Sequence, residues 1–167
     1  MLSTQPLRYR KSELEPVMSR RTIDYHYEHL AKNYAKNYNA GKGSQRFNKA
    51  GNFLHNIFFA QFKKPTPINE PTPIVSRFIQ AHYDSLDEFK AALKSVAMKI
   101  EGSGWVYLST DGKIKVIHNH NIRHDILLLV DWWEHAWALD YKSDKGAYLD
   151  SFWSIVDWDV IADKLSV

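Results

Sequence analysis

The stretch Val130-Asp131-Trp132-Trp133-Glu134-His135-Ala136 sets a carboxylate and an imidazole four residues apart at the end of an apolar run. A carboxylate leaving a buried strand must be paired, hydrogen-bonded or metal-bound, because an isolated buried charge is costly. The two tryptophans beside it would form a bulky, low-dielectric wall. Earlier in the chain, His26 and His55 each lie on the apolar face of a helical pattern. Taken singly, a histidine in such a place is more often a hydrogen-bonded core residue than a ligand. Gly51 stands one turn before His55 on the same face, at a cost of about 1 kcal/mol to its helix relative to alanine. Either two helices pack closely there, or something fills the room beside the imidazole. If Asp131 and His135 turn toward His26 and His55, three imidazoles and one carboxylate meet. That donor set suits a redox-active first-row metal such as iron or manganese, and zinc is compatible with it. The competing reading is an Asp131–His135 hydrogen bond with no metal.

Composition narrows the chemistry further. The chain has 167 residues, eight histidines and no cysteine. There can be no disulfide framework, thiolate metal site or cysteine nucleophile, so any metal must rest on histidine and carboxylate. The length fits one domain, or two small layers sharing a core. The formal net charge is +3. Cations gather at Arg8, Arg10, Lys11, Arg20 and Arg21, and again at Lys32, Lys36, Lys42, Arg46 and Lys49. They form no dense stripe with a nucleic-acid motif; a solvated surface, or a field that attracts a small anion, is the expectation. No apolar run approaches the length of a membrane span, and the N-terminus has no apolar signal core.

The elements that must position these residues can be read from periodicity. Ser19 is a plausible N-cap, and Ile23, Tyr27, Leu30, Tyr34 and Tyr38 follow as one face of a long helix, with His26 on the same stripe. Asn39 to Ser44 is a turn cluster. Phe47, Gly51, Leu54, His55, Phe58 and Phe62 mark a second helix, so the first half reads as an antiparallel helical hairpin. Four of the six prolines lie in residues 64–73, the best linker candidate. That gives an N-terminal hairpin domain over 1–63 and a C-terminal domain over 74–167. In the latter, a short helix is expected over Ile74 to His82. Another should follow Ser85, which with Glu88 makes a capping box. Strands are expected over Gly104 to Ser109, Lys113 to His118 and Ile126 to Asp131, the first two joined by Asp111-Gly112. Tyr148 to Val156 and Val160 to Leu165 read as helical. The fold class is α+β: an α-hairpin, then an α/β domain with a three-stranded antiparallel sheet.

These motifs together resemble the iron/manganese superoxide dismutase family over nearly the whole chain. Thr22-Ile23-Asp24-Tyr25-His26-Tyr27-Glu28-His29 resembles the family's first ligand helix, and Ala50-Gly51-Asn52-Phe53-Leu54-His55 its second. Gly102-Ser103-Gly104-Trp105 is similar to the family's entry to the sheet. Asp131-Trp132-Trp133-Glu134-His135-Ala136 matches its signature of aspartate, any residue, tryptophan, glutamate, histidine and alanine. Asp140-Tyr141, Tyr148-Leu149 and Phe152-Trp153 continue the likeness. Leu7-Arg8-Tyr9 and Leu14-Glu15-Pro16 look like the family's mature start, with no room for a cleaved targeting segment. The resemblance implies four metal ligands, His26, His55, Asp131 and His135, holding one iron or manganese per chain, with a solvent molecule as fifth ligand. The metal would alternate between +3 and +2 while superoxide becomes dioxygen and hydrogen peroxide. Tyr34 would stand at the substrate entrance and help relay protons. Trp105, Trp133 and Phe59 would wall the site. Glu134 would reach the His135 of a partner chain in a homodimer or homotetramer. A cytoplasmic enzyme with no nucleic-acid or membrane partner is the expectation.

Three departures accompany the resemblance. The family's usual interface histidine and tyrosine are replaced by Leu30 and Ala138, both partners of one contact together. Gly51 stands where iron-specific members place a glutamine, which leans toward manganese or dual use. The loop that carries glutamine in manganese members reads Ile117-His118-Asn119-His120-Asn121-Ile122 here; His120 best fits the role, with His118 the alternative. The chain is also short, with clipped loops, and Lys142 or Lys145 stands in for a usual arginine. The loss at Leu30 and Ala138 motivates one competing reading, a non-catalytic metal-binding structural or interaction member of the same fold. A three-ligand non-haem iron oxygenase is the other, and it requires open coordination positions.

Overall fold

The computed structural model describes all 167 residues. Ser19 opens the first helix, its Oγ accepting from Thr22 N at 3.1 Å. The helix continues as α1 (Arg20–Ile23), a π-helical stretch (Asp24–Ala31) and α2 (Lys32–Asn39). The π stretch departs from the expected regular stripe. Its wider i→i+5 turns shift the register, so Ala31 and Ala35 are buried while Leu30 and Tyr34 stay partly exposed. Gly41 and Gly43, both in the left-handed region at φ 65° and 67°, turn the chain. Ser44 then caps α3 (Gln45–Ala60), which packs on α2 as the hairpin's second arm.

Residues 63–72 are coil. Asn69 ties this coil to the C-terminal elements by donating to the carbonyls of Trp153 and Val156, each at 2.8 Å. Pro73 opens α4 (Pro73–Tyr83) at the first turn, where its missing N–H costs nothing. Ser85 caps α5 (Leu86–Met98), accepting from Glu88 N at 3.1 Å.

The sheet is antiparallel in the order β2-β1-β3, with β1 at Gly104–Ser109, β2 at Ile114–His118 and β3 at Ile126–Asp131. Every residue of β1 and β3 is buried. The register sets Trp105 opposite Asp131, so both side chains leave the same face of the sheet. The outer edge of β3 is covered. The Gln61 amide bonds both N and O of Leu129, and Lys164 Nζ donates to Leu127 O at 3.1 Å.

The chain closes with α6 (Glu134–Tyr141), α7 (Lys145–Phe152), a 3-10 turn (Trp153–Ile155) and α8 (Trp158–Leu165). Periodicity did not reveal α6: its eight residues bury Ala136 and Trp137 but expose Glu134 and Leu139, too short a pattern for a stripe. The helix expected over Tyr148 to Val156 begins three residues earlier, capped by Asp144, and tightens into the 3-10 turn. Asp140 accepts from Ser19 N and Oγ at 2.8 and 2.6 Å, and the Tyr141 hydroxyl donates to Val17 O at 2.7 Å. These bonds lock α6 against the start of the first helix. One contiguous apolar core, from Leu14 through Phe58 and Trp105 to Ile161, joins hairpin and sheet.

Candidate metal centre

Four elements deliver one side chain each to a point between hairpin and sheet. His26 comes from the π stretch, His55 from α3, Asp131 from the end of β3 and His135 from the first turn of α6. His26, His55 and Asp131 are fully buried, and His135 is slightly exposed. Around Asp131 Oδ2 lie His26 Nε2 at 3.0 Å, His135 Nε2 at 3.2 Å and His55 Nε2 at 3.6 Å. Two donors each about 2.1 Å from a shared ion, about 90–120° apart, are separated by roughly 3.0–3.6 Å. One potential donor atom from each of the four residues lies within 4.8 Å of all the others.

The protonation states favour an ion. Burial pushes His26 down to about 4 and His55 well below its ordinary value, so both rings are neutral at pH 7. His55 Nδ1–H donates to Gly51 O at 2.7 Å, which leaves a lone pair on Nε2 aimed at the cluster. Burial works against the Asp131 carboxylate, but its neighbours, His135 first with a hydrogen bond at 3.2 Å, outweigh it and hold the group ionised. Asp131 Oδ1 is fixed by Trp133 N–H at 2.9 Å. Despite the short distance, His26 Nε2 is out of line for a hydrogen bond to Asp131, and the buried Nε2 atoms of His26 and His55 have no partner in the chain. Unpartnered buried polar atoms cost about 1–3 kcal/mol each. A cation at the shared point satisfies them together with the carboxylate charge. The residues therefore fit a first-row metal ion.

A second chain of polar contacts runs beside the cluster. Trp105 Nε1–H, a donor only, donates to His120 Nδ1 at 3.2 Å. The proton of the neutral His120 ring is therefore on Nε2, which donates to the Tyr34 hydroxyl at 2.9 Å. The Tyr34 proton is left free to point elsewhere. Asn119 takes a left-handed conformation at φ 53°, and this reversal turns His120 inward to 3% exposure while His118 stays on the surface. Gly51 also has its occupant: a Cβ there would lie 2.8 Å from the Tyr34 ring, so the glycine lets the phenol lie against α3.

Aromatic rings enclose the group. Phe59 packs on His26 with centroids 4.8 Å apart, Trp105 on His55 at 5.0 Å, and Trp133 on both His135 and His120 at 5.6 and 4.5 Å. Three neighbours were not singled out from the sequence. Phe47 lies 4.6 Å from the His120 ring and Phe58 5.4 Å from His26, while the Tyr148 hydroxyl donates to Asp131 O at 3.1 Å. Phe47 carried a signal, since Phe47, Gly51 and His55 share one helical face at four-residue spacing. Tyr148 belongs to the family likeness, but its contact depends on how α7 crosses the end of β3, which residue type does not show. Glu134 is exposed beside a cleft of about 440 Å³ that His135, Trp133 and Trp137 also line.

The family model for iron/manganese superoxide dismutases, C-terminal domain, matches residues 71–164. Over 186 aligned positions the chain is 33% identical to the superoxide dismutase (Fe) of Bacteroides fragilis, covering 95% of this chain and 96% of that protein. The chain belongs to the iron/manganese superoxide dismutases. It is 32% identical to the superoxide dismutase (Fe) of Escherichia coli, over 96% of both chains. It is 29% identical to that of Pyrobaculum aerophilum, over 96% of this chain and 90% of the other. The alignment with the Bacteroides relative is longer than this chain's 167 residues, so that relative carries insertions this dismutase-family chain lacks. No helix is long and apolar enough to cross a membrane.

Proposed function

We propose that the protein is a superoxide dismutase whose single metal ion, iron or manganese, is held by His26, His55, Asp131 and His135. The convergence of these four donors, with buried imidazole nitrogens that lack any partner of their own, is the observation that carries this reading. When bound, the ion supplies one-electron chemistry, cycling between +3 and +2 as one superoxide is oxidised to dioxygen and a second is reduced, with two protons, to hydrogen peroxide.

The chain's own residues set the conditions for that chemistry. Asp131 supplies negative charge where burial makes it effective. His55 holds one tautomer through Gly51 O, and the surrounding rings keep bulk water away. Tyr34 and His120 are the proposed proton-handling pair. The order Trp105 to His120 to Tyr34 orients the phenol proton away from His120, free to be donated to a substrate. Gly51 makes room for that phenol, and Trp105, Trp133 and Phe59 form the walls. Glu134, exposed at the cleft beside His135, is proposed to reach His135 of a second copy in a homodimer or homotetramer. Dual use of manganese, supported by Gly51, and cytoplasmic residence belong to the same proposal.

The test is to express the protein in iron-only and manganese-only medium, and to measure metal per chain and dismutation for each form. About one ion per chain with superoxide-consuming activity in at least one form is expected. Full metal loading without dismutation in either form would overturn the reading.

A further inference from the structure

On the far side of α3 from the metal cluster, two adjoining cavities share Lys49 and Ile122. The larger, about 410 Å³, is within the range of small-molecule sites. Its lining is mainly apolar, from Phe53, Ile57 and Ala60 of α3, Ile122 of the loop after β2 and Val160 of α8, with Asn52, Asn56 and Lys164 among its polar groups. Asn56 keeps one side in place, its amide bonding Gln5 N at 2.9 Å and Ser3 O at 3.0 Å. The smaller cavity, about 250 Å³, carries Arg46, Lys49 and Arg123.

No acidic side chain lines either cavity. Some cations elsewhere are paired, Lys11 with Asp24 and Glu28, Lys32 with Glu28, and Arg20 with Asp24, whereas Arg46, Lys49 and Arg123 form no ion pair. Lys164, in the apolar groove, has only the Leu127 carbonyl as partner. Its burial lowers the ammonium to about 8 with no carboxylate to offset it. A largely apolar trough joined to a mouth with three cations and no anion is complementary to a molecule that is apolar along its length and negative at one end.

We propose that this pair of cavities binds a single-chain aliphatic carboxylate, its chain along the Phe53–Ile57–Val160 groove and its head at Arg46, Lys49 and Arg123. The site is separate from the metal centre and does not depend on the dismutase reading.

Titration calorimetry of the full-length, metal-loaded protein with saturated carboxylates of increasing length tests it. Affinity should rise roughly three- to fourfold per added methylene until the groove is full, then level off. Decanol and decyltrimethylammonium, which lack the negative head, should bind at least tenfold more weakly than decanoate. Lys49→Gln with Arg123→Gln, both at exposed positions, should weaken decanoate about tenfold or more. Ala60→Phe should remove the dependence on chain length by filling the trough. Should the Ala60 variant fail to fold, Val160→Gln carries the same expectation. Non-saturating uptake below the micelle threshold, equal binding of decanol and decanoate, or chain-length dependence that survives in the groove variant would overturn the proposal.

Discussion

Two charged clusters sit on the same small sheet and are built on opposite terms. Asp131, the last residue of β3, is fully buried with three imidazole nitrogens within 3.6 Å of one oxygen. Lys115, on the edge strand β2, is about one-third exposed and lies 3.0 and 2.8 Å from Asp111 and Asp125. In the edge cluster each charge has a counter-charge from the chain. Asp125 also accepts from the Tyr107 hydroxyl at 3.1 Å, and Asp111 from Lys113 N at 3.1 Å and from Ser109 Oγ. In the buried cluster lone pairs outnumber protons, and two Nε2 atoms find no partner at all. The residue types overlap, yet one group is complete by itself and the other is complete only with a cation from outside. What separates them is burial, together with the count of donors against acceptors.

The largest effect should follow from breaking the buried cluster. His26→Ala removes one donor, and Asp131→Asn removes the only charge while keeping the shape. Each should reduce metal content by more than tenfold, since even changes to groups behind the ligands typically cost about 10–100-fold in affinity. Elemental analysis of purified protein decides it. Near-complete loading of both variants would mean that the ion is held elsewhere.

Acid should distinguish the clusters next. In the metal-free chain His26 and His120 are both lowered to about 4 from an ordinary 6.5, mainly by burial. Between those values the unfolded chain binds more protons than the folded one, so stability must fall as pH drops from 6.5 toward 4. Each ring accounts for on the order of 3 kcal/mol once fully protonated in the unfolded state. The Asp125 carboxyl is lowered from 3.8, chiefly by its hydrogen bond from Lys115, so its contribution is intact above that value and is lost only below it. The edge cluster should therefore be silent over the same window. Denaturant midpoints of the metal-free protein at a series of pH values give the curve; a flat line from 6.5 to 4 would contradict the buried, neutral state of the rings.

Most of this architecture could be read from the sequence, for reasons that differ by element. The sheet is legible because β1 is an apolar run bounded by Gly102 and Asp111-Gly112 and β3 is a second continuous apolar run, and capping at Ser19 and Ser85 is legible from side-chain chemistry alone. The four candidate ligands stood out because polar groups in apolar runs demand an explanation. The π stretch was hidden, since a widened turn leaves no signature in residue type. It decides that Ala31 rather than Leu30 is buried. The link from Trp105 through His120 to Tyr34 was hidden as well: it joins three distant segments, and its direction depends on a left-handed Asn119. The space that Gly51 leaves is legible from residue type, but only the fold shows that Tyr34 fills it.

Gly51→Ala tests that last point and should have an intermediate effect. Alanine favours the helix by about 1 kcal/mol, while a Cβ placed 2.8 Å from the Tyr34 ring overpacks a site at a typical cost of about 1–3 kcal/mol. The Gly51 carbonyl survives the change, so His55 keeps its tautomer and metal content should hold. Activity per bound metal should drop, because the ring must shift away from its 2.9 Å contact with His120. Unchanged activity per metal together with a higher melting temperature would mean that the phenol is not held in place by this contact.

The smallest effect belongs to the edge cluster, and it completes the comparison from the other side. Lys115→Met removes the cation that joins Asp111 and Asp125. Both carboxylates keep neutral hydrogen-bond donors and face water, so neither becomes a stranded buried charge. Exposed pairs gain little in high dielectric and are screened by salt. The variant should fold, bind metal and turn over like the parent, with a slightly lower melting temperature at low ionic strength that converges on the parent value as salt is added. The gap should also close as pH falls below 3.8, where the carboxylates lose the charge that Lys115 holds in place. A large, salt-independent loss of stability would show that this cluster, like the one around Asp131, depends on a charge it cannot replace.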